Sequence, residues 1–122
     1  MKVLLGLTGT DESMRALQRT IERTAGTGDD LTIAVGDHPE LERSGRELID
    51  EVTRLLEESN VDADIHKLEE HPGSELVELA EREEFDQLVI GGGTESPMGK
   101  IRLGPVTEFI LLNARTTVKL IR

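Results

Sequence analysis

Short apolar runs alternate along the chain with longer amphipathic stretches, and the alternation predicts the elements. "KVLLGL" (Lys2 to Leu7) and "LTIAV" (Leu31 to Val35) are continuous apolar runs followed by turn residues, as strands covered on both faces should be. From Asp11 onward Met14, Leu17, Ile21 and Ala25 recur at helical spacing; Thr10 or Asp11 can cap the first turn, and Gly26 and Gly28 end it. After "GDHP" a second helical stripe runs through Leu41, Leu48, Ile49, Val52, Leu55 and Leu56. "VDADIHKLEE" (Val61 to Glu70) has period two, with Val61, Ala63 and Ile65 on one side, which predicts a half-exposed outer strand.

"HPGSELVELAERE" opens with Pro72 and Ser74 as start signals and carries Leu76, Val77, Leu79 and Ala80 as a third helix. "QLVI" (Gln87 to Ile90) is a fourth strand. Pro105 to Ala114 is a fourth helix with Val106, Phe109, Ile110 and Ala114 inward, and "TTVKLI" (Thr116 to Ile121) is a fifth strand. Five strands alternating with four helices predict an α/β fold: one domain over residues 1–122, with an open, doubly wound parallel sheet and helices on both faces. In such sheets ligands sit beyond the carboxyl ends of the strands where strand order reverses. The glycine-bearing stretches "GLTGTDES" and "GGGTESPMGK" follow the first and fourth strands, so the expected site lies between them.

Charge and composition narrow the partners. The formal net charge is −11, from 25 acidic and 14 basic residues, and the only lysines are Lys2, Lys67, Lys100 and Lys119. That balance repels nucleic acid and anionic membranes, and suits a surface solvated in concentrated salt, where like charges are screened. A halophilic source is the expectation. There is no cysteine, hence no disulfide or thiolate chemistry. The first apolar run stops at Thr8 and Gly9, too short for a signal peptide or a membrane span, which predicts a cytoplasmic protein.

Generic motifs fit poorly. No glycine stands five residues before Gly99, and Ile101 replaces the hydroxyl that a phosphate-binding P-loop needs after Lys100. Gly91 and Gly93 are followed by Ser96 where a dinucleotide fingerprint wants glycine. With no Tyr or Trp to stack on a flavin, and with Asp11 and Glu12 beside the first loop, a flavin phosphate is disfavoured. His38, His66 and His71 lack metal-ligand spacing. No catalytic residue emerges.

The whole chain resembles the universal stress protein family. "LTGTDESMRAL" (Leu7 to Leu17) is similar to that family's first-strand ending and its Ser-x-x-Ala-Leu helix. "GGGTESPMGKIRLGPVTEF" is similar to its Gly-x-x-Gly, nine residues, Gly-Ser/Thr signature, with Gly91 and Gly104 at the expected separation, "VTE" at Val106 to Glu108, and the Ser-Pro-x-Gly-Lys variant at Ser96 to Lys100.

The resemblance implies strand order 3-2-1-4-5, a stress-response binding or regulatory role rather than an enzyme's, and a homodimer paired through the fifth strand. It also implies ATP, with magnesium, in the cleft between strands one and four. By position the nucleotide set is Thr8, Val35, Gly91, Thr94, Gly104, Pro105, Val106 and Thr107, and the charge of Lys100 adds it to that set. Three positions depart from the pattern: Thr8 stands for an Asp, Thr94 for the second Gly, and Pro105 for a Ser/Thr. Pro105 supplies neither hydroxyl nor N–H. A nucleotide-free dimeric interaction module therefore stands as the alternative, and a slow ATPase as a third reading. On the first alternative Gly91 to Gly93 turn the chain out of strand four, while Gly99 and Gly104 serve positive φ or close packing.

Overall fold

A computed structural model describes residues 1–36, 44–92, 94–95, 98–99 and 101–122, with backbone only at 94, 95, 101 and 102. The elements run β1 (Lys2–Leu7), α1 (Asp11–Thr27), β2 (Asp30–Val35), α2 (Gly45–Ser59), β3 (Ala63–Lys67), α3 (Pro72–Arg82), β4 (Gln87–Gly91), β5 (Thr94–Glu95), β6 (Ile101–Arg102), α4 (Pro105–Asn113) and β7 (Thr117–Ile121). The main sheet has order β3-β2-β1-β4-β7, and all of its pairings are parallel. This is the expected 3-2-1-4-5 arrangement, since β7 is the fifth long strand. The four helices are the expected four. An antiparallel pair, β5 with β6, lies inside the glycine-rich stretch and was not foreseen, because two-residue strands carry no periodicity.

Each central strand faces two cores. Val3, Leu5 and Leu7 of β1 join Met14, Leu17 and Ile21 of α1 and Leu48, Val52 and Leu56 of α2 on one face. Leu4 joins Leu76, Leu79 and Ala80 of α3 and Ile110 of α4 on the other. This double burial is why β1, β2 and β4 read as unbroken apolar runs.

The helix ends follow local chemistry. Thr10 caps α1, its hydroxyl accepting from Ser13 N–H, and Gly28 closes that helix in the left-handed region (φ 71°). Ser44 caps α2, and Asn60 ends it at φ 55°. The His71 side chain makes no cap on α3. Instead the Glu75 carboxylate reaches back to accept the N–H groups of Glu69 and His71 at 2.9 and 2.8 Å.

Two sequence expectations are corrected. The helical spacing predicts Phe109 inward, but it is 40% exposed and its ring lies along Gly73 of α3. α4 is apolar around most of its circumference, so its helical stripe points to no single face. The alternation puts Ile65 with Val61 and Ala63 on the apolar side of an outer strand, yet Ile65 is 38% exposed, because β3 is outermost and α2 leaves it partly bare. Leu41 lies outside the described residues.

Candidate functional site

The carboxyl ends of β1 and β4 adjoin at the point where sheet order reverses, with β1 paired to β2 on one side and to β4 on the other. Two helix N-termini enter this region. Thr8 follows β1 and is half-buried. Gly9 takes φ 90° and its N–H donates to Ser13 Oγ at 3.0 Å. Ser13 Oγ donates to the Thr10 carbonyl at 2.9 Å, so the buried hydroxyl of Ser13 locks the β1–α1 turn.

The end of β4 is wedged between the two helices. A Cβ on Gly91 would fall 2.6 Å from Ser13 Cα and collide with the Glu12 carbonyl of α1. A Cβ on Gly92 would fall 2.8 Å from Thr107 Oγ1 of α4. The Gly92 N–H donates to the Ile121 carbonyl of β7 at 3.1 Å. These two glycines therefore let α1 and α4 close on β4 from opposite faces.

α4 presents its first turn beside them. Gly104 is its cap residue in extended conformation (φ −71°, ψ 165°), Pro105 follows at the first position, and among the described residues no side chain caps the turn. The first intrahelical bond runs from Glu108 N–H to the Gly104 carbonyl. The N–H groups of Val106 and Thr107 consequently have no intrahelical acceptor, and Pro105 has no N–H to give. Among the described residues, nothing beyond its own chain neighbours lies within 4 Å of the position a Gly104 Cβ would take. Thr107 is 7% exposed, and its hydroxyl is turned inward toward the Gly91 carbonyl at 3.5 Å. Val106 packs on the α3–α4 core.

The structure thus gathers Thr8, Gly91, Gly104, Pro105, Val106 and Thr107 around the meeting of β1, β4, α1 and α4. Val35 ends β2; its side chain is buried in the α1–α2 core, and its carbonyl accepts from Leu68 N–H. Thr94 pairs through its backbone with Arg102 in the β5–β6 ladder. Lys100 lies outside the described residues. Gly99 does adopt positive φ (78°) as expected of that glycine, whereas Gly104 does not. The sequence marks Ser13 as a hydroxyl of the loop after the first strand and as the Ser of the Ser-x-x-Ala-Leu step, but not as the group that locks the β1–α1 turn. The signal for that role was the "TGTDES" spacing, which places a hydroxyl one turn after the cap residue.

Comparison with known proteins settles the lineage. The model of the universal stress protein family matches residues 1–122. The chain belongs to the universal stress protein family. A curated relative, the universal stress protein MJ0531 of Methanocaldococcus jannaschii, is 32% identical over 82 residues, covering 67% of this chain and 48% of that protein. The chain thus matches about half the length of this relative.

Solved structures share the fold across nearly the whole chain. The universal stress protein of Archaeoglobus fulgidus superposes with a TM-score of 0.79 at 19% identity, covering 100% of this chain and 98% of that one. A structure of the universal stress protein from that organism in complex with dAMP gives 0.73 at 17% identity, with 100% and 98% covered. A universal stress protein family member of Arabidopsis thaliana with AMP bound gives 0.72 at 16% identity, with 99% and 91% covered.

Proposed function

We propose that the chain is a stress-response binding module that takes an adenine nucleotide at the carboxyl ends of β1 and β4, its phosphate against the first turn of α4. The observation that carries this reading is the state of that turn. Among the described residues none crowds the cap position at Gly104, and no side chain is spent on the N–H groups of Val106 and Thr107. Free donors at the positive end of a helix dipole suit an anion. α1 offers the contrast: Thr10 caps it and Asp11 and Glu12 occupy its first turn, a carboxylate pair that opposes phosphate. The dAMP and AMP complexes of proteins with the same fold support an adenine nucleotide as the ligand class.

On this reading Thr8 and the end of β2 at Val35 border the nucleoside, Gly91 and Thr94 form the turn beneath it, and Gly104 to Thr107 receive the phosphate. Lys100 adds a counter-charge, and magnesium would accompany ATP on its phosphates. The role is binding rather than turnover, because no glycine, threonine, valine or proline of this set titrates near neutrality as a general base must.

The nucleotide-free module is favoured by two specific observations. Pro105 removes a donor from the anion site, and the packing of Gly91 on Glu12 and Ser13 is sufficient reason for a glycine there. A thermal melt with AMP, and with ATP and magnesium, tests both readings. Ligand at a hundredfold its dissociation constant stabilises the folded chain by roughly 2.7 kcal/mol. If the wild type does not shift but the Thr94→Gly/Pro105→Ser variant does, the site is a degenerate one and the nucleotide-free module is correct. If neither shifts, the cleft holds no adenine nucleotide.

The assembly we propose is a homodimer through β7. β7 is outermost in its sheet, Val118 and Leu120 on it are only partly buried, and Leu111 and Leu112 of the adjoining α4 are 41% and 76% exposed. Among the described residues no helix is long and apolar enough to cross a membrane. The net charge of −11 fits a cytoplasm rich in salt.

A further inference from the structure

The opposite edge of the sheet is built for a different kind of contact. Among the described residues β3 pairs with β2 on one side only. Just past its end, Leu68 donates its N–H to the Val35 carbonyl of β2. In a parallel ladder the N–H and C=O of one residue point the same way, and successive residues alternate. Asp64 and His66 therefore turn their backbone groups to β2, while Ala63, Ile65 and Lys67 turn theirs outward. This leaves a short row of outward-facing donors and acceptors.

Beside that row lies a groove of about 400 Å³ between β3 and the last turns of α2. Its apolar part is Leu56, Val61 and the exposed Ile65; its polar part includes Glu57, Asn60 and Asp62. The lining itself is acidic, while exposed Lys67 stands on the same face of β3 two residues past Ile65, outside the lining. Both carboxylates are exposed, no lining residue is a cation, and α2 ends here with no basic residue in its last turn to offset the negative end of its dipole. Arg54, in the second half of α2, is already engaged by Glu58 at 3.0 Å and Glu51 at 3.9 Å.

We propose that the β3 edge and its groove form a docking site for an extended basic and apolar segment of a partner protein. The segment adds to the sheet as a sixth strand, seats an apolar side chain against Ile65 and Leu56, and turns a lysine or arginine toward Glu57 and Asp62. Outward backbone groups select an extended chain over a helix or a free amine, the groove beside them accepts alternate side chains, and the two carboxylates of its lining at the negative end of α2 select a cation there. The site lies at the far edge from β7, so it is compatible with a dimer through that strand.

The test titrates the isotope-labelled full chain with an acetylated, amidated octapeptide of alternating valine and lysine, followed by amide shifts. The matching valine and glutamate peptide serves as control. The expected result is perturbation of Ala63, Ile65, Lys67 and the last turns of α2 by the lysine peptide alone. Affinity should fall at least tenfold in Glu57→Lys/Asp62→Lys. A comparable loss is expected in Ile65→Pro, which removes an outward N–H but no bond to β2; thermal melts of both variants establish that they fold. No shifts up to millimolar peptide, shifts centred on β7, equal binding of the glutamate peptide, or unchanged affinity in the folded variants would overturn the proposal. A change of oligomeric state in Glu57→Lys/Asp62→Lys would also overturn it, by making the occupant a second copy of this chain.

Discussion

At the residue scale, Gly91 holds the site together. Its missing side chain is where the backbone of α1 sits, with Ser13 Cα 2.6 Å from the position a Cβ would take. Backbone, unlike the end of a leucine, cannot swing aside. Gly91→Ala should therefore destabilise the chain at the upper end of the roughly 1–3 kcal/mol typical of overpacking, or beyond it, read as a loss of urea midpoint. A near-neutral result would mean that α1 is not seated on β4 as described. Gly104→Ala is the matched control, since among the described residues none beyond its chain neighbours comes within 4 Å of that Cβ. The sequence marked both residues as glycines of one signature. It could not tell them apart, because the difference lies in which backbone passes within reach.

At the element scale, α1 and α4 begin alike but differ in what their first turns offer. Thr10 and Ser13 satisfy α1 locally, whereas Gly104 leaves α4 uncapped. A Gly104→Asp change supplies the missing acceptor and should raise unliganded stability by a few tenths of a kcal/mol, the difference between aspartate and glycine caps. The same carboxylate enters the proposed phosphate site, so any thermal shift produced by AMP in the wild type should vanish in the variant. Retention of the shift would place the phosphate elsewhere.

The strands and helices of the long segments were legible because burial on one or both faces imposes a period. What periodicity could not show was the β5–β6 pair or the outward tilt of Phe109. The first is too short to repeat, and the second lies on a helix apolar around most of its girth.

At the scale of the whole molecule, two edges and a charge remain to be tested. If β7 is the dimer strand, gel filtration at micromolar concentration should give a dimer, and Leu111→Glu with Leu112→Glu in α4 should give a monomer that still melts cooperatively. A wild-type monomer would leave β7 as an edge guarded by Lys119. With a formal charge of −11, folding concentrates repulsion that salt screens, with a Debye length of about 10 Å at 0.1 M and 3 Å at 1 M. The melting temperature should therefore climb from low to molar sodium chloride. A flat or falling curve would remove the case for a halophilic setting.

The alternation of elements, the parallel sheet and the family can be read from the chain alone, because each rests on local periods, turn residues and a spaced signature that need no neighbour to be read. Which glycine is crowded and which is open, which helix end is left uncapped, and that Ile65 faces a groove with carboxylates around it emerge only once the chain is folded. Those properties belong to atoms far apart in the chain, and only folding brings them within a few ångströms of one another.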